Sequence, residues 1–172
     1  MFNITKVNRE LRSSGFLSWY REEKTDYICN GYFIIKTDLT KEENRKILSL
    51  LVERFGAIPE MGKELAFSYN RITILNSKPN WLEVIEGRKK EVIEDTKLTE
   101  TSNNGEMRVF KGKDYIYINM KYFEMIKDSS LVEFEGGKQI EPITANYEDD
   151  LLLILPVRVF NYNKYLIKEM EV

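Results

Sequence analysis

The chain has 172 residues, of which 42% are hydrophobic and 31% charged, and its 26 basic and 28 acidic residues leave a formal charge of -2. This is an ordinary globular balance with enough apolar material for a core, and it excludes a basic nucleic-acid tail or an acidic tail. Histidine is absent and Cys29 is the only cysteine, which removes imidazole acid–base chemistry, Ser-His-Asp and Cys-His arrangements, imidazole zinc sites and any intrachain disulfide.

In chain order, Ile4 to Gly15 reads as a strand start followed by a short helix, with Gly15 as a C-cap. The aromatic and β-branched residues from Trp19 to Asp38 are divided by Asn30-Gly31, a hairpin signal. Leu39 to Gly56 is the clearest helix. Thr40 and Glu43 have the spacing of a capping box, and Ile47, Leu48, Leu51, Val52 and Phe55 share one stripe. Gly56 ends it, and Pro59 prevents continuation. Leu65 to Asn76 reads as one strand. Trp81 to Gly87 fits either a short strand or a helical turn. The polar stretch from Gly87 to about Gly105 reads as an exposed excursion.

The pattern sharpens after Glu106. Met107 to Ile118 predicts a hairpin around Gly112, with Val109 on one face of its first arm. Asn119 is placed to cap a short helix whose apolar side is Tyr122, Phe123 and Ile126. Three strands then follow, over "SLVEF", "EPITANY" and "DLLLIL". The second half thus reads β-β-α-β-β-β. The apolar run Leu151 to Leu155 predicts an inner strand covered on both faces. Pro156 donates no ladder hydrogen bond, so it belongs at a bulge, an edge or a change of pairing.

Residues Gly112 to Val159 resemble the last module of the bacterial DNA polymerase sliding clamp, the β subunit. Asn119 and Tyr122 match that family's helix start, Pro142 its strand opening, and Leu155-Pro156-Val157-Arg158-Val159 its Met-Pro-Met-Arg-Leu-like ending. The segment "FNITKVNREL" is similar to a clamp-domain opening. The resemblance implies an α+β, DNA-clamp-like domain, mostly antiparallel sheet with two or three short helices. It spans residues 1–172, with two related halves (about 1–86 and 104–160) around the polar segment as the alternative. Clamp subunits have three domains per chain, form a dimeric ring around DNA and capture peptides in a cleft near their tail. One such domain does not surround DNA alone, and here the tail continues as "FNYNKYLIKEMEV", so ring closure and peptide capture are not carried over. A lone clamp-like domain in a sequence rich in Lys, Ile, Asn and Tyr fits a phage or mobile-element origin.

Catalytic signals are weak. Glu148, Asp149 and Asp150 read as an acidic turn, because a calcium loop needs alternating ligands and a supporting glycine. "EGGKQ" lacks the Walker spacing. Ser13-Ser14 and Ser129-Ser130 have no histidine to activate them. No catalytic residue, cofactor or metal is therefore assigned. Tyrosine and tryptophan suit interfaces because they join large contact area to a polar handle, and Trp19, Tyr20, Tyr162 and Tyr165 are the candidate protein contacts. Arg88, Lys89, Lys90, Lys111 and Lys113 are the candidate DNA contacts, joined by Arg108 if they converge on one face. The expectation is a cytoplasmic, non-enzymatic regulatory or inhibitory module that binds another protein, with weak or absent DNA binding and no membrane contact. A DNA-associated oligomeric subunit is the first alternative, and an enzyme the second.

Overall fold

The computed structural model describes residues 1–87, 91–103 and 105–158. Asn3 caps helix α1 (Ile4–Ser13), its side chain accepting from the Lys6 N–H at 3.4 Å. The segment expected to begin as a strand is therefore helical from Ile4. Strands β1 (Phe16–Glu22), β2 (Thr25–Cys29) and β3 (Phe33–Thr37) form an antiparallel meander. Asn30-Gly31 makes the expected turn. Asn30 Oδ1 accepts from the Tyr32 and Phe33 N–H groups at 3.0 Å each, and Gly31 adopts φ 87°.

Helix α2 (Arg45–Phe55) follows a 3-10 turn at Glu42–Asn44. The expected capping box does not form. Asp38 Oδ1 instead takes the Thr40 N–H and hydroxyl at 2.8 and 2.6 Å, which engages Thr40 in a tighter local turn. Gly56 ends α2 in the left-handed region at φ 70°. Arg54, on the face expected to be solvated, donates to the carbonyls of Leu11, Arg12 and Ser14 at 2.9, 2.6 and 3.0 Å. Its guanidinium lies 4.4 Å from the Phe67 ring centroid. One cation thus satisfies the free carbonyls at the end of α1 and fixes α1 against α2.

Leu65 to Asn76 is a hairpin rather than one strand: β4 (Glu64–Ser68) and β5 (Arg71–Leu75) are joined by Tyr69 and Asn70. Trp81 to Gly87 takes the helical alternative, as a 3-10 turn over Asn80–Leu82 running into α3 (Glu83–Glu86). The polar stretch is largely exposed, as expected, but it forms strands. It supplies β6 (Glu91–Val92) and β7 (Glu94–Ser102), and β7 pairs with β8 (Gly105–Lys111) across an irregularity between Asp95 and Thr99. Solvent covers much of β7, which explains its missing hydrophobic alternation.

The remaining elements keep the expected order but not every expected bound. They are β9 (Tyr115–Asn119), α4 (Met120–Phe123) capped by Asn119, β10 (Glu133–Gly136), β11 (Ile143–Tyr147) and β12 (Asp150–Ile154). Ser129–Leu131 is a 3-10 turn, so the strand expected over "SLVEF" begins only at Glu133, and the helix after Asn119 is a single turn. The architecture is α+β, dominated by antiparallel sheet, with α1 and α2 its longest helices. A nine-stranded sheet runs β5-β4-β1-β2-β3-β12-β11-β10-β6, and a three-stranded sheet runs β7-β8-β9. Among the described residues, no helix is long and apolar enough to cross a membrane.

Strand β12 lies between β3 and β11, and all five of its residues are buried. Leu152 and Ile154 join the main core with Ile47, Leu51 and Phe55 of α2 and with Phe110, Ile116 and Ile118 of the smaller sheet. Leu151 and Leu153 face the other way, with Cys29 and Ile34, beneath Trp81, Val84 and Ile85. Cover on both faces explains the unbroken apolar run. Pro156 marks the change of pairing. Before it, the Leu155 N–H donates to the Tyr32 carbonyl at 2.9 Å; after it, the Val157 N–H donates to the Tyr117 carbonyl in the smaller sheet at 2.7 Å.

Candidate interaction surface

Trp19 and Tyr20, singled out for protein contact, are core residues instead of exposed ones. Trp19 is fully buried beside Phe55, and its Nε1 donates to Asp26 Oδ1 at 2.8 Å. Tyr20 is buried with its ring 6.1 Å from that of Tyr27. Both lie on β1, third in a nine-stranded sheet, and Trp19 joins the main core with Phe55 of α2. Tyr162, Tyr165, Arg88, Lys89 and Lys90 lie outside the described residues.

The remaining basic candidates are held individually. Lys113 Nζ lies 2.7 Å from Glu91 Oε1. Lys111 Nζ sits 5.8 Å from the Tyr115 ring centroid. Both residues line a shallow depression together with Glu91 and Glu94. Arg108 grips Asp95 through Nε and Nη2 at 2.7 and 3.0 Å and lies over the Phe123 ring. These contacts intersperse the cations with carboxylates rather than building one positive face.

The acidic triplet also divides. Glu148 adopts φ 53° in the loop, while Asp150 turns inward to accept the Thr37 hydroxyl at 2.6 Å. Among the described residues, no three Cys, Asp or Glu side chains assemble for a metal ion. The Cys29 thiol is pushed up to about 11, chiefly by burial with the Glu64 carboxylate adding to it, against an opposing hydrogen bond from the Gly31 N–H. It is therefore a protonated core side chain at neutral pH.

Asp95 supplies a pH-dependent element of the smaller sheet. Burial raises its pKa, but hydrogen bonds from Arg108 and Lys97 outweigh burial and leave it below the usual carboxylate value. A lowered folded-state pKa contributes stability that is complete above the unfolded value, roughly 4, and is lost as pH falls through the folded one. The Asp95→Asn variant is therefore expected to be less stable than the native protein at pH 7. The gap should close as both are acidified, measured by denaturant unfolding at each pH. A gap independent of pH would show that the charge on Asp95 is not what stabilises.

The feature that sequence reading missed is β5. Tyr69 and Asn70 both take left-handed conformations, at φ 49° and 59°. They form a two-residue loop between Ser68 and Arg71, the turn type whose twist suits a hairpin. Such a loop brackets a hydrogen-bonded pair, so Arg71, Thr73 and Leu75 bond inward to β4. Ile72 and Ile74 consequently direct their N–H and C=O groups away from the sheet. Their side chains stand on the helix-covered face, opposite Phe67 and Leu65. Leu65 is buried and Phe67 packs on the core, but Ile72 and Ile74 are 46% and 62% exposed. The core's apolar row thus continues past its cover to the sheet edge. Tyr69, 93% exposed, stands at the end of the same hairpin. Beside it, Phe16, Arg54, Phe67 and Asn70 line an open groove of about 440 Å³. The run "RITIL" carried the strand signal, but "YN" is a weaker turn signal than Asn-Gly because tyrosine rarely adopts positive φ.

No protein-family model and no curated protein matches the chain. Among solved structures it is similar to the DNA polymerase III beta subunit of Thermotoga maritima, with 13% identity and a TM-score of 0.41, covering 88% of this chain and 59% of that one. It is also similar to the DNA polymerase III beta chain of Streptococcus pneumoniae, with 9% identity and a TM-score of 0.37, covering 96% of this chain and 66% of that one. The chain spans less than two thirds of the length of either protein. Both are the subunit that residues from Gly112 onward resemble.

Proposed function

We propose that the protein acts by protein contact, as a regulatory or inhibitory module rather than an enzyme, and that β5 is its contact edge. The observation that carries this is the pairing of outward backbone groups with exposed apolar side chains at Ile72 and Ile74. Among the described residues β5 has no strand on its outer side, and such an edge accepts an extended partner through main-chain hydrogen bonds, while side chains of alternate residues set selectivity. A bare apolar edge is otherwise a hazard that proteins blunt with charge, proline or cover, and Ile72, Thr73 and Ile74 carry none of these.

The test compares the native protein with the Ile72→Lys/Ile74→Lys double variant. Self-association is read by light scattering, and association with proteins of its own cell by affinity recovery and mass identification. The variant is expected to associate at least about tenfold more weakly while unfolding normally, since the charges enter the centre of the contact. An association unchanged by both substitutions would overturn the reading.

Duplex DNA is expected to bind weakly or not at all, because Arg108 and Lys113 are paired with Asp95 and Glu91, and Lys111 shares its surface with Glu91 and Glu94. A salt titration with labelled duplex checks this. Submicromolar binding at physiological ionic strength, falling steeply as salt rises, would favour the DNA-associated alternative.

A further inference from the structure

We infer that the occupant of the β5 edge is a second copy of this chain, with the two β5 strands paired antiparallel about a two-fold axis at Thr73; this rests on reading β5 as a contact edge. The parity of the strand supports it. Ile72 and Ile74 direct their backbone groups outward, and antiparallel pairing centred on Thr73 sets Ile72 against the partner's Ile74 and Ile74 against the partner's Ile72. Both are the hydrogen-bonded pairs that an antiparallel ladder requires. Every residue of β5 then has a partner, and each isoleucine of one copy faces an isoleucine of the other. An isologous contact needs this self-complementarity.

The charges count against one competing register. Centring on Thr73 places Arg71 against the partner's Leu75, whereas centring on Arg71 would oppose two arginines, which destabilises a cross-strand pair. Threonine facing threonine at the axis is a favourable pair. The apolar row would then run without interruption from Leu65 and Phe67 through four isoleucines to the partner's Leu65 and Phe67. Pairing with the sheet's other edge is a poorer match. β6 has two residues, Glu91 and Val92, and Glu91 is held by Lys113.

The register is testable by cross-linking. Opposed residues in a non-hydrogen-bonded antiparallel pair have Cα atoms about 4.5 Å apart, within disulfide range. The Thr73→Cys variant should therefore form a disulfide-linked dimer under mild oxidation. Tyr69→Cys, exposed but away from the axis, should not, and native Cys29 is buried. The native 172-residue chain should sediment as a dimer at high concentration. Ile74→Pro should shift it to a monomer, because that N–H points away from β4 and proline removes it without breaking the hairpin. Ile72→Lys is a second disrupting variant if the proline variant unfolds.

Persistent monomer in the native chain without Thr73→Cys cross-linking would overturn the inference. So would equal cross-linking at Tyr69→Cys, or a dimer unaffected by both disrupting variants. If a monomeric native chain binds a different protein in a manner abolished by Ile72→Lys/Ile74→Lys, the second copy is excluded while the contact edge stands. If no association responds to those substitutions, both readings fail.

Discussion

Replacing Asp26 with alanine is expected to lower folding stability by about 3–5 kcal/mol. The Asp26 carboxylate is almost completely buried and accepts from three sides. Trp19 Nε1 donates at 2.8 Å, Arg21 Nε and Nη2 at 3.0 and 3.3 Å, and the Leu39 N–H at 3.3 Å. Removing it leaves a buried indole N–H and a buried amide without an acceptor, and a mostly covered guanidinium without its counter-ion. Denaturant unfolding measures the loss, and a loss below about 1 kcal/mol would show that water or a shifted Arg21 replaces the carboxylate. Asp26→Asn should fall between the two, because it keeps an acceptor for Trp19 but no charge for Arg21. Adding Arg21→Met to Asp26→Ala should recover part of the loss, since the unpaired cation is then gone.

The second large effect is expected at Leu51. This side chain is fully buried in the main core with Ile47, Leu50 and Phe55, and the same cluster contains Leu152 and Ile154 of β12. Leu51→Ala removes buried methyl groups and leaves a cavity that tightly packed neighbours fill poorly, at a cost of about 2–5 kcal/mol. Leu48, only partly buried at the edge of the cluster, should lose less on the same substitution. Chemical denaturation of both variants checks the order. A Leu51→Ala change under about 0.5 kcal/mol would mean that this face of α2 does not pack as core.

Periodicity made much of the fold readable. The stripe from Ile47 to Phe55 identified the core face of α2 because an amphipathic helix repeats near every 3.6 residues. The run at Leu151 to Leu155 identified a doubly covered strand because both its faces are apolar, although β12 ends at Ile154 and Leu155 is exposed. What failed depended on local chemistry with several solutions. Thr40 had a competing partner in Asp38 two residues away, and the closer turn won over the capping box. Tyr69 gave no sign that it would enter the left-handed region. The candidate surface was misread for a related reason. Aromatic content alone does not say which residues a sheet places centrally, so Trp19 looked like a contact, while nothing in the strand read over Leu65 to Asn76 marked Ile74 as exposed. Strand order decided both, and strand order is a property of pairings distant in sequence.

The position of β12 has a consequence for how the protein is born. β3 and β12 are neighbours in the sheet, yet Thr37 and Asp150, which meet through a hydrogen bond at the end of that pair, are 113 residues apart. During synthesis the meander of β1, β2 and β3 emerges first and must wait for most of the chain before its inner edge is paired. In that interval Phe33, Ile34 and Ile35 border an open ladder, the kind of edge that recruits a neighbouring strand. Closing so long a loop before its contacts reward it slows folding. Nascent chains on one message are therefore exposed to mispairing at β3 until β12 arrives, and elongation speed between these two strands becomes a determinant of soluble yield.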